Sequence, residues 1–122
     1  QTGARTDEAV SLQNVYAKLA YLAGLGVPVH VDGTSLRPLL EDPSSSWDEV
    51  AFTTAEFGSY AMQDDHFRYI RYVEGEEELY DHRSDPNEWK NLASDPAFAE
   101  TLEAMRAKVP PFGQQAPPQV LE

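Results

Sequence analysis

Apolar residues recur with a helical period near the start of the chain. From Ser11 to Ala23 they fall three or four positions apart, which predicts an amphipathic helix over residues 11–23. Ser11 is expected to cap its first turn, and Gly24 is expected to end it in a left-handed conformation. The apolar stripe of this helix consists of Leu12, Val15, Tyr16, Leu19, Leu22 and Ala23.

Two short elements are predicted between this helix and the middle of the chain. Residues 29–31 form a brief extended piece, in which His30 is expected to be half-buried between two valines with one hydrogen bond. Residues 35–40 form a short helix with Ser35 as its N-cap. Pro38 is tolerated there because an N–H group in the first turn of a helix has no partner within the helix, so its absence costs no hydrogen bond.

The middle of the chain alternates between polar and apolar or aromatic residues, which is typical of β-strands. Breaks of only two or three residues separate the alternating segments, and such short breaks favour antiparallel hairpins. The sequence therefore predicts a four-stranded antiparallel meander, with strands at residues 49–56, 59–63, 66–73 and 77–80.

Two Asp-Pro pairs indicate helix starts after the last strand. Residues 85–88 resemble a capping box and predict a short helical turn through Trp89 and Leu92. Asp95-Pro96 begins a second helix, whose stripe of Phe98, Leu102 and Met105 is expected to face the sheet. With a proline- and glutamine-rich tail at residues 110–122, the predicted fold class is α+β.

Composition narrows the classes of function. The chain has 122 residues and a mass of 13.6 kDa, which suits one domain or a piece of a larger protein. Its 21 acidic and 9 basic side chains give a net charge of -12, which opposes binding to nucleic acids and to anionic membrane surfaces. The absence of cysteine excludes disulfides and thiolate chemistry within the chain. Glycines and a proline interrupt the most apolar stretch, residues 19–31, so no membrane span is predicted.

The sequence offers only weak candidates for a self-contained active site. Asp64, Asp65 and His66 could hold a divalent ion or serve a stand-alone hydrolase. The favoured interpretation is a turn, since aspartate side chains in turns bond to nearby backbone N–H groups. Asp81 and His82 are adjacent on a strand and point to opposite faces, so His82 is expected to be a surface or loop residue. We therefore assign no catalytic residue and no metal site within this chain.

Several short motifs follow one another in a characteristic order. In the first half they are residues 10–16, 22–25 and 32–40, and in the second half they are Phe67-Arg68-Tyr69-Ile70-Arg71-Tyr72, Glu78-Leu79-Tyr80-Asp81, residues 84–89 and residues 91–93. This order resembles the formylglycine-dependent sulfatases of the alkaline phosphatase superfamily. The combination of residues 78–82 with residues 85–88 is most similar to the iduronate-2-sulfatase-like branch of that family.

The resemblance implies a division of the chain and a reaction. Residues 1–46 would end the catalytic-domain region, so that helix 11–23 belongs to a missing α/β catalytic domain, and residues 47–109 would form the C-terminal subdomain. The reaction implied is sulfate-ester hydrolysis by a formylglycine, made from cysteine or serine in a C-x-P-S-R or S-x-P-S-R motif, beside a calcium ion. This chain lacks such a motif. Both cofactors are therefore expected in the missing domain, and the chain alone is expected to be inactive.

The resemblance also implies partners and substrate-facing residues. The chain would close one side of the substrate cleft, with Tyr60, Gln63 and His66 as substrate-binding candidates against their ordinary role as surface residues. In the family an arginine–threonine pair usually stands where this chain has Gln63-Asp64. The expected partners are the N-terminal catalytic domain or chain and a sulfated small molecule or glycan, in a periplasmic, secreted or lysosomal setting.

A second class of function remains open. An apolar helix stripe left in water indicates a lost or separate partner, because large exposed apolar patches usually mark binding surfaces. The alternative to a piece of a sulfatase is therefore a non-catalytic acidic interaction module with the same fold. Such a module would bind a partner or self-associate through helix 11–23.

Overall fold

The computed structural model describes residues 3–31, 33–56 and 58–109. Its elements in chain order are helices α1 (Gln13–Leu22) and α2 (Arg37–Glu41), strands β1 (Ala51–Glu56), β2 (Ser59–Gln63), β3 (Phe67–Arg71) and β4 (Glu77–Asp81), and helix α3 (Ala99–Ala107) after a 3-10 turn at Pro96–Phe98. This arrangement confirms the predicted α+β class. The predicted tail at residues 110–122 lies outside the described residues. Among the helices in the described ranges, none has the length and apolarity needed to cross a membrane.

The chain divides into two compact units between Ala51 and Phe52. In the first unit, a buried asparagine fixes the start of α1. The backbone N–H of Ser11 donates to Oδ1 of Asn14 at 2.7 Å, and Nδ2 of Asn14 donates to the carbonyl of Thr34 at 3.0 Å. Gly33 passes so close to α1 that a β-carbon there would lie 2.0 Å from the carbonyl oxygen of Gln13. Only glycine fits this position without moving the backbone.

Helix α1 ends as the sequence predicted but buries little of its apolar stripe. Gly24 has a φ of +69°, the left-handed conformation expected after a helix. The stripe residues Leu12, Leu19 and Leu22 are 89%, 58% and 62% exposed. Among the described residues of the first unit, those less than a tenth exposed are Asn14, Ala17 and Leu39. The first unit therefore has a small core, and the predicted apolar face of its main helix is open to solvent.

The segment after α1 forms a turn, so the prediction of an extended piece at residues 29–31 is wrong. The N–H of Val31 donates to the carbonyl of Pro28 at 3.0 Å. This bond satisfies backbone groups that an isolated extended piece would leave to water. His30 at the tip of the turn is exposed rather than half-buried, which corrects a second prediction. Helix α2 keeps Pro38 in its first turn, as expected.

In the second unit the sheet has the strand order β1-β2-β3-β4, which confirms the predicted meander. Met62 in β2 lies opposite Tyr69 in β3, and Tyr69 lies opposite Leu79 in β4. Residues opposite one another share a face, so the register defines an inner face and an outer face. The inner face carries Tyr60, Met62, Phe67, Tyr69, Arg71, Glu77, Leu79 and Asp81, and the outer face carries Ala61, Gln63, Arg68, Ile70, Glu78 and Tyr80.

Helix α3 covers the inner face, as its stripe predicted. Asp95 caps the preceding 3-10 turn by accepting a hydrogen bond from the N–H of Ala97 at 3.0 Å. Leu102 and Met105 are buried. Phe98 meets the inner-face ring of Phe67 edge to face, with the ring centroids 6.3 Å apart. Apolar packing between α3 and the sheet thus forms the core of the second unit.

The helix predicted over residues 85–92 is absent, and the segment forms turns and an extended loop instead. Glu88 has a φ of +58°, which a right-handed helix does not allow. The carboxylate of Asp85 accepts a hydrogen bond from the N–H of Lys90 at 2.8 Å rather than capping a helical turn. The local capping signal is overridden by contacts that Glu88 and Asn91 make with the sheet.

Asn91 pairs with the free edge of β4 in place of a fifth strand. Its Oδ1 accepts from the N–H of Leu79 at 3.0 Å, and its Nδ2 donates to the carbonyl of Glu77 at 3.1 Å. The N–H of Leu92 then donates to the carbonyl of Leu79 at 2.8 Å. These bonds satisfy edge groups that would otherwise be open to pairing with another chain.

A carboxylate at the edge of the core links α3 to the sheet. Glu77 accepts a hydrogen bond from the hydroxyl of Tyr69 at 2.5 Å and forms an ion pair with Arg106 of α3. The hydrogen bonds from Arg106 and Tyr69 outweigh burial and lower the pKa of Glu77 to about 2. Burial and the neighbouring carboxylate raise the pKa of Tyr69. Folding therefore favours the ionised form of Glu77.

We expect this carboxylate to make the fold sensitive to acid. Because the pKa of Glu77 falls from 4.5 to about 2 on folding, its stabilising contribution is present above pH 4.5 and is lost as the pH falls towards 2. Glu77→Gln should lower the free energy of unfolding at pH 7 by roughly 2–3 kcal/mol and flatten its dependence on pH between 4.5 and 2. Urea unfolding at several pH values measures both effects.

Glu74→Gln is the matched control, because Glu74 is an exposed glutamate in the turn between β3 and β4. Its unfolding curves should follow those of the unaltered protein. An unchanged pH dependence in Glu77→Gln would contradict the assignment.

Candidate functional site

Four polar side chains from separate segments meet on the outer face of the sheet. Gln63 ends β2, and Arg68 lies directly opposite it in β3. His82 follows the last residue of β4, and Glu88 lies in the loop beyond. We call these four residues the Glu88 cluster. Their side chains are partly exposed, so a molecule in solution can reach them.

Glu88 is the centre of this cluster. Nη1 of Arg68 lies 3.0 Å from its Oε1 and 3.2 Å from its Oε2, and Nε2 of His82 lies 2.7 Å from Oε1. Burial alone would raise the pKa of Glu88, but the hydrogen bonds from His82 and Arg68 outweigh it and lower the pKa. Glu88 is therefore ionised at neutral pH and holds one side chain from β3 and one from the turn after β4.

The ionised Glu88 fixes the tautomer of the His82 ring. A carboxylate can only accept hydrogen bonds, so Nε2 of His82 carries the hydrogen in this contact. In the neutral ring Nδ1 is then an acceptor. Nε2 of Gln63 lies 3.5 Å from this Nδ1 and is oriented to donate to it. The chain of contacts thus runs from Gln63 through His82 to Glu88 and Arg68.

The backbone of Glu88 is held in an uncommon conformation. Its φ of +58° is positive, which is unfavourable for a residue with a β-carbon. Such a conformation costs about 1–2 kcal/mol and persists only where the surroundings impose it. Here the ion pair with Arg68 and the hydrogen bond from His82 impose it. Strained non-glycine residues of this kind cluster at functional sites, which makes Glu88 a candidate.

Two tyrosines extend the polar groups along the outer face. The hydroxyls of Tyr80 and Tyr72 donate to the two carboxylate oxygens of Glu78, at 3.0 Å and 3.3 Å. Burial, and then the hydrogen bond to Glu78, raise the pKa of Tyr80 to about 12. Both tyrosine hydroxyls therefore have a fixed hydrogen-bond direction at neutral pH.

The sequence predicted three substrate-binding candidates, and the structure places them in different parts of the second unit. Tyr60 lies on the inner face, is 2% exposed and stacks on Phe52 with a centroid distance of 5.5 Å. Gln63 is part of the Glu88 cluster on the outer face. His66 lies at the same end of the sheet, where its backbone carbonyl accepts from the N–H of His82 at 2.9 Å. Gln63 and His66 thus lie at the same end of the sheet, and Tyr60 belongs to the core.

The hairpin around Asp64 has the geometry of a turn. Oδ1 of Asp64 accepts hydrogen bonds from the backbone N–H groups of His66 and Phe67, at 2.9 Å and 2.7 Å. These are the backbone bonds that the sequence predicted for an aspartate here. Its Oδ2 lies 3.5 Å from Nζ of Lys108, while Oδ2 of Asp65 lies 3.2 Å from Nδ1 of His66. Across the described ranges, no three histidine or carboxylate side chains are grouped so that they could hold a metal ion.

Asp81 and His82 point to opposite faces, as strand geometry predicted. Asp81 binds Arg83, with its Oδ1 2.9 Å from Nε of that residue. His82 lies in the turn after β4, as expected, but its side chain is only 25% exposed because it packs against Glu88. Sequence reasoning missed Arg68 and Glu88 as site residues. The pairing of Gln63 with Arg68 could have been found from the short hairpin, whereas the position of Glu88 had no local signal.

Comparison with known proteins identifies relatives of this chain. Residues 1–115 match the family described as N-sulphoglucosamine sulphohydrolase, C-terminal. A protein named Sulfatase from Formosa agariphila is 35% identical over 108 residues, which cover 88% of this chain and 21% of the relative. A Delta 4,5-hexuronate-2-O-sulfatase from Bacteroides thetaiotaomicron is 36% identical over 100 residues, which cover 73% of this chain and 20% of the relative.

A solved structure also identifies a sulfatase as a relative of this chain. The structure of a 2-O GAG sulfatase matches with a TM-score of 0.62 and 32% identity, over 77% of this chain and 22% of that chain. This chain spans about a fifth of the length of the curated relatives it matches.

Removing the charge of Glu88 should destabilise the second unit. Glu88→Gln retains the shape of the side chain but leaves the guanidinium of Arg68 without its carboxylate, so we expect a loss of about 1–2 kcal/mol in the free energy of unfolding at pH 7. Urea unfolding followed by circular dichroism measures this loss. The exposed Glu76→Gln is the control and should change stability by less than about 0.5 kcal/mol. Equal stability of the two variants would show that Glu88 is not the centre of the cluster.

Proposed function

Because this chain belongs to the N-sulphoglucosamine sulphohydrolase C-terminal family, we propose that it works as the C-terminal portion of an enzyme that hydrolyses sulfate esters. The observation that carries the proposal is the match over residues 1–115, together with the four-stranded sheet and terminal helix. In this proposal the chain closes one side of the substrate cleft. The outer face, with Gln63 and His66 at one end, would be turned towards the substrate.

The sequence has no place for the formylglycine that the resemblance implies, and the described residues do not fit the calcium ion. The sequence contains no cysteine, and none of its serines lies in an S-x-P-S-R motif. The described residues also provide no cluster of side chains for a metal ion. In the proposed enzyme the nucleophile and the calcium site therefore belong to the catalytic domain, and this chain contributes to binding.

The exposed apolar face of α1 supports the proposal that a large protein partner covers this helix. Fully burying a leucine side chain contributes roughly 1.5–3 kcal/mol, and α1 leaves Leu12, Leu19 and Leu22 mostly in water. The curated relatives are about four times as long as this chain, so a complete enzyme has ample polypeptide to cover the helix. We propose that the α1 stripe packs against the catalytic domain.

A finer proposal concerns the substrate. One relative is named for hexuronate-2-O-sulfate hydrolysis, and one solved relative is named for 2-O sulfate on glycosaminoglycans. The sequence motifs at residues 78–82 and 85–88 point to the iduronate-2-sulfatase-like branch. We therefore propose a 2-O-sulfated uronate within a glycan as the substrate class.

The exposed α1 stripe also favours the second candidate function, an acidic interaction module that self-associates. The two proposals differ in what covers α1. In the module a second copy covers it, so the 122-residue protein would dimerise and would have no enzymatic role. In the sulfatase the catalytic domain covers it.

The first test is turnover. The 122-residue protein should not hydrolyse 4-nitrophenyl sulfate, because it lacks the nucleophile. The same chain joined to a sulfatase catalytic domain, which we call the joined protein or joined enzyme, should hydrolyse it. Release of 4-nitrophenol measures this. A joined protein that folds, carries formylglycine and shows no turnover of either the aryl sulfate or a 2-O-sulfated uronate disaccharide would overturn the proposal.

The second test is protection of α1. Amide hydrogens of residues 13–22 should exchange rapidly in the 122-residue protein and slowly in the joined protein, because packing suppresses local opening. Leu19→Asp should abolish the added protection, while Gln13→Asp on another side of the helix should retain it. Slow exchange of α1 in a concentration-dependent dimer of the 122-residue protein would favour the interaction module instead.

A further inference from the structure

We propose that the Glu88 cluster and the neighbouring Tyr72 form a recognition site for a sugar residue of the substrate. The inference rests on the proposed function, because it takes the substrate to be a sulfated glycan. It goes further by naming the side chains that contact the sugar: Gln63, Arg68, Tyr72 and Glu88, with His82 as a positioning residue.

The cluster presents hydrogen-bond donors and acceptors side by side. Glu88 offers acceptor oxygens, Arg68 offers donors, and Gln63 offers both. Among the described residues Arg68 donates only through Nη1, and only to Glu88, so the hydrogens on its Nε and Nη2 are available to a ligand. Neighbouring hydroxyl groups on a sugar ring are each a donor and an acceptor. A mixed array of this kind matches a polyhydroxylated ring better than it matches a simple ion.

The charges of the cluster lead to the same ligand class. Arg68 and Glu88 compensate each other, and the chain as a whole carries a net charge of -12. A site for a free anion would need an excess of positive charge, which this pairing does not supply. A site for a cation would need several grouped oxygen or nitrogen ligands, which the described residues do not provide. An uncharged sugar residue, such as the neighbour of the sulfated uronate in the glycan, meets neither objection.

The side chains are already fixed before any ligand arrives. Glu88 holds Arg68 and His82, and His82 contacts Gln63. The left-handed backbone of Glu88 is retained by these contacts at an energetic cost. Fixed polar groups lose less conformational entropy when a ligand binds, and this gain in affinity is a reason for a site to tolerate such a cost.

Tyr72 supplies an apolar surface beside the polar groups. Tyr72 is 36% exposed, and its hydroxyl is oriented by Glu78. Tyr72 shares the carboxylate of Glu78 with Tyr80, and Tyr80 lies directly opposite Arg68, so Tyr72 borders the cluster. An aromatic ring flanked by polar groups can pack against the C–H face of a sugar while its neighbours bond the hydroxyls.

The test compares two substrates of the joined enzyme, of which only one contains a sugar. Gln63→Ala and Arg68→Met should each raise KM for a 2-O-sulfated uronate disaccharide at least tenfold while leaving KM for 4-nitrophenyl sulfate within twofold. A general loss of structure would impair both substrates, so the aryl sulfate reports on folding. Glu74→Gln is the control and should leave both KM values unchanged.

A second measurement uses the 122-residue protein and needs no turnover. Titration with the desulfated disaccharide should shift backbone amide NMR signals of residues 63, 68, 82 and 88, and Gln63→Ala should weaken this binding at least fivefold. Titration with inorganic sulfate should not cause these shifts.

The outcomes separate the two proposals. Failure of the joined enzyme on both substrates contradicts the proposed function, and the NMR titration then decides the sugar site alone. Normal aryl sulfate turnover with an unchanged KM for the disaccharide in both cluster variants overturns the sugar site and leaves the proposed function standing. Shifts confined to other residues, or equal shifts with inorganic sulfate, also overturn it.

Discussion

The pairing of β3 between β2 and β4 is the constraint on which the second unit depends. Because side chains alternate along a strand, one register sets both faces of the sheet at once. It places Met62, Tyr69 and Leu79 in a buried row against α3. The same register places Gln63 opposite Arg68 on the other face. A slip of one residue would exchange the core for the polar cluster, so the packing energy of the core also holds the candidate site in place.

Local patterns predicted the elements whose bonds are local. Short breaks between alternating segments predicted the hairpins, and the bounds of β2 at residues 59–63 agree with the prediction. The stripe of α3 was predicted because its helical spacing lies within one element. The loop at residues 85–92 was not predictable in this way, since Glu88 bonds to Arg68 and Asn91 bonds to Leu79, each at least 12 positions away in the chain. Tertiary contacts of this kind override a capping signal that involves only neighbours.

The candidate site was predictable only in part, and for a similar reason. Tyr60 and Gln63 are three positions apart on one strand. Because side chains alternate along a strand, these two residues must lie on opposite faces. Gln63 and His66 lie on either side of a tight turn, which brings them to the same end of the sheet. Glu88 joins them through its contacts with Arg68 and His82, and its positive φ has no local signal, because the sequence places no glycine or asparagine there.

The two units differ in how much stabilisation each gains from burying its own apolar side chains. The second unit buries Met62, Tyr69, Leu79 and Met105 almost completely, so apolar burial can offset the entropy of ordering its strands. The first unit orders a ten-residue helix while leaving most of the helix stripe in water. A helix of this length is marginal in isolation, because its stability normally comes from packing of the apolar face. The described residues do not supply a surface that covers the apolar face of α1. In the proposed enzyme the catalytic domain would supply that surface together with the nucleophile.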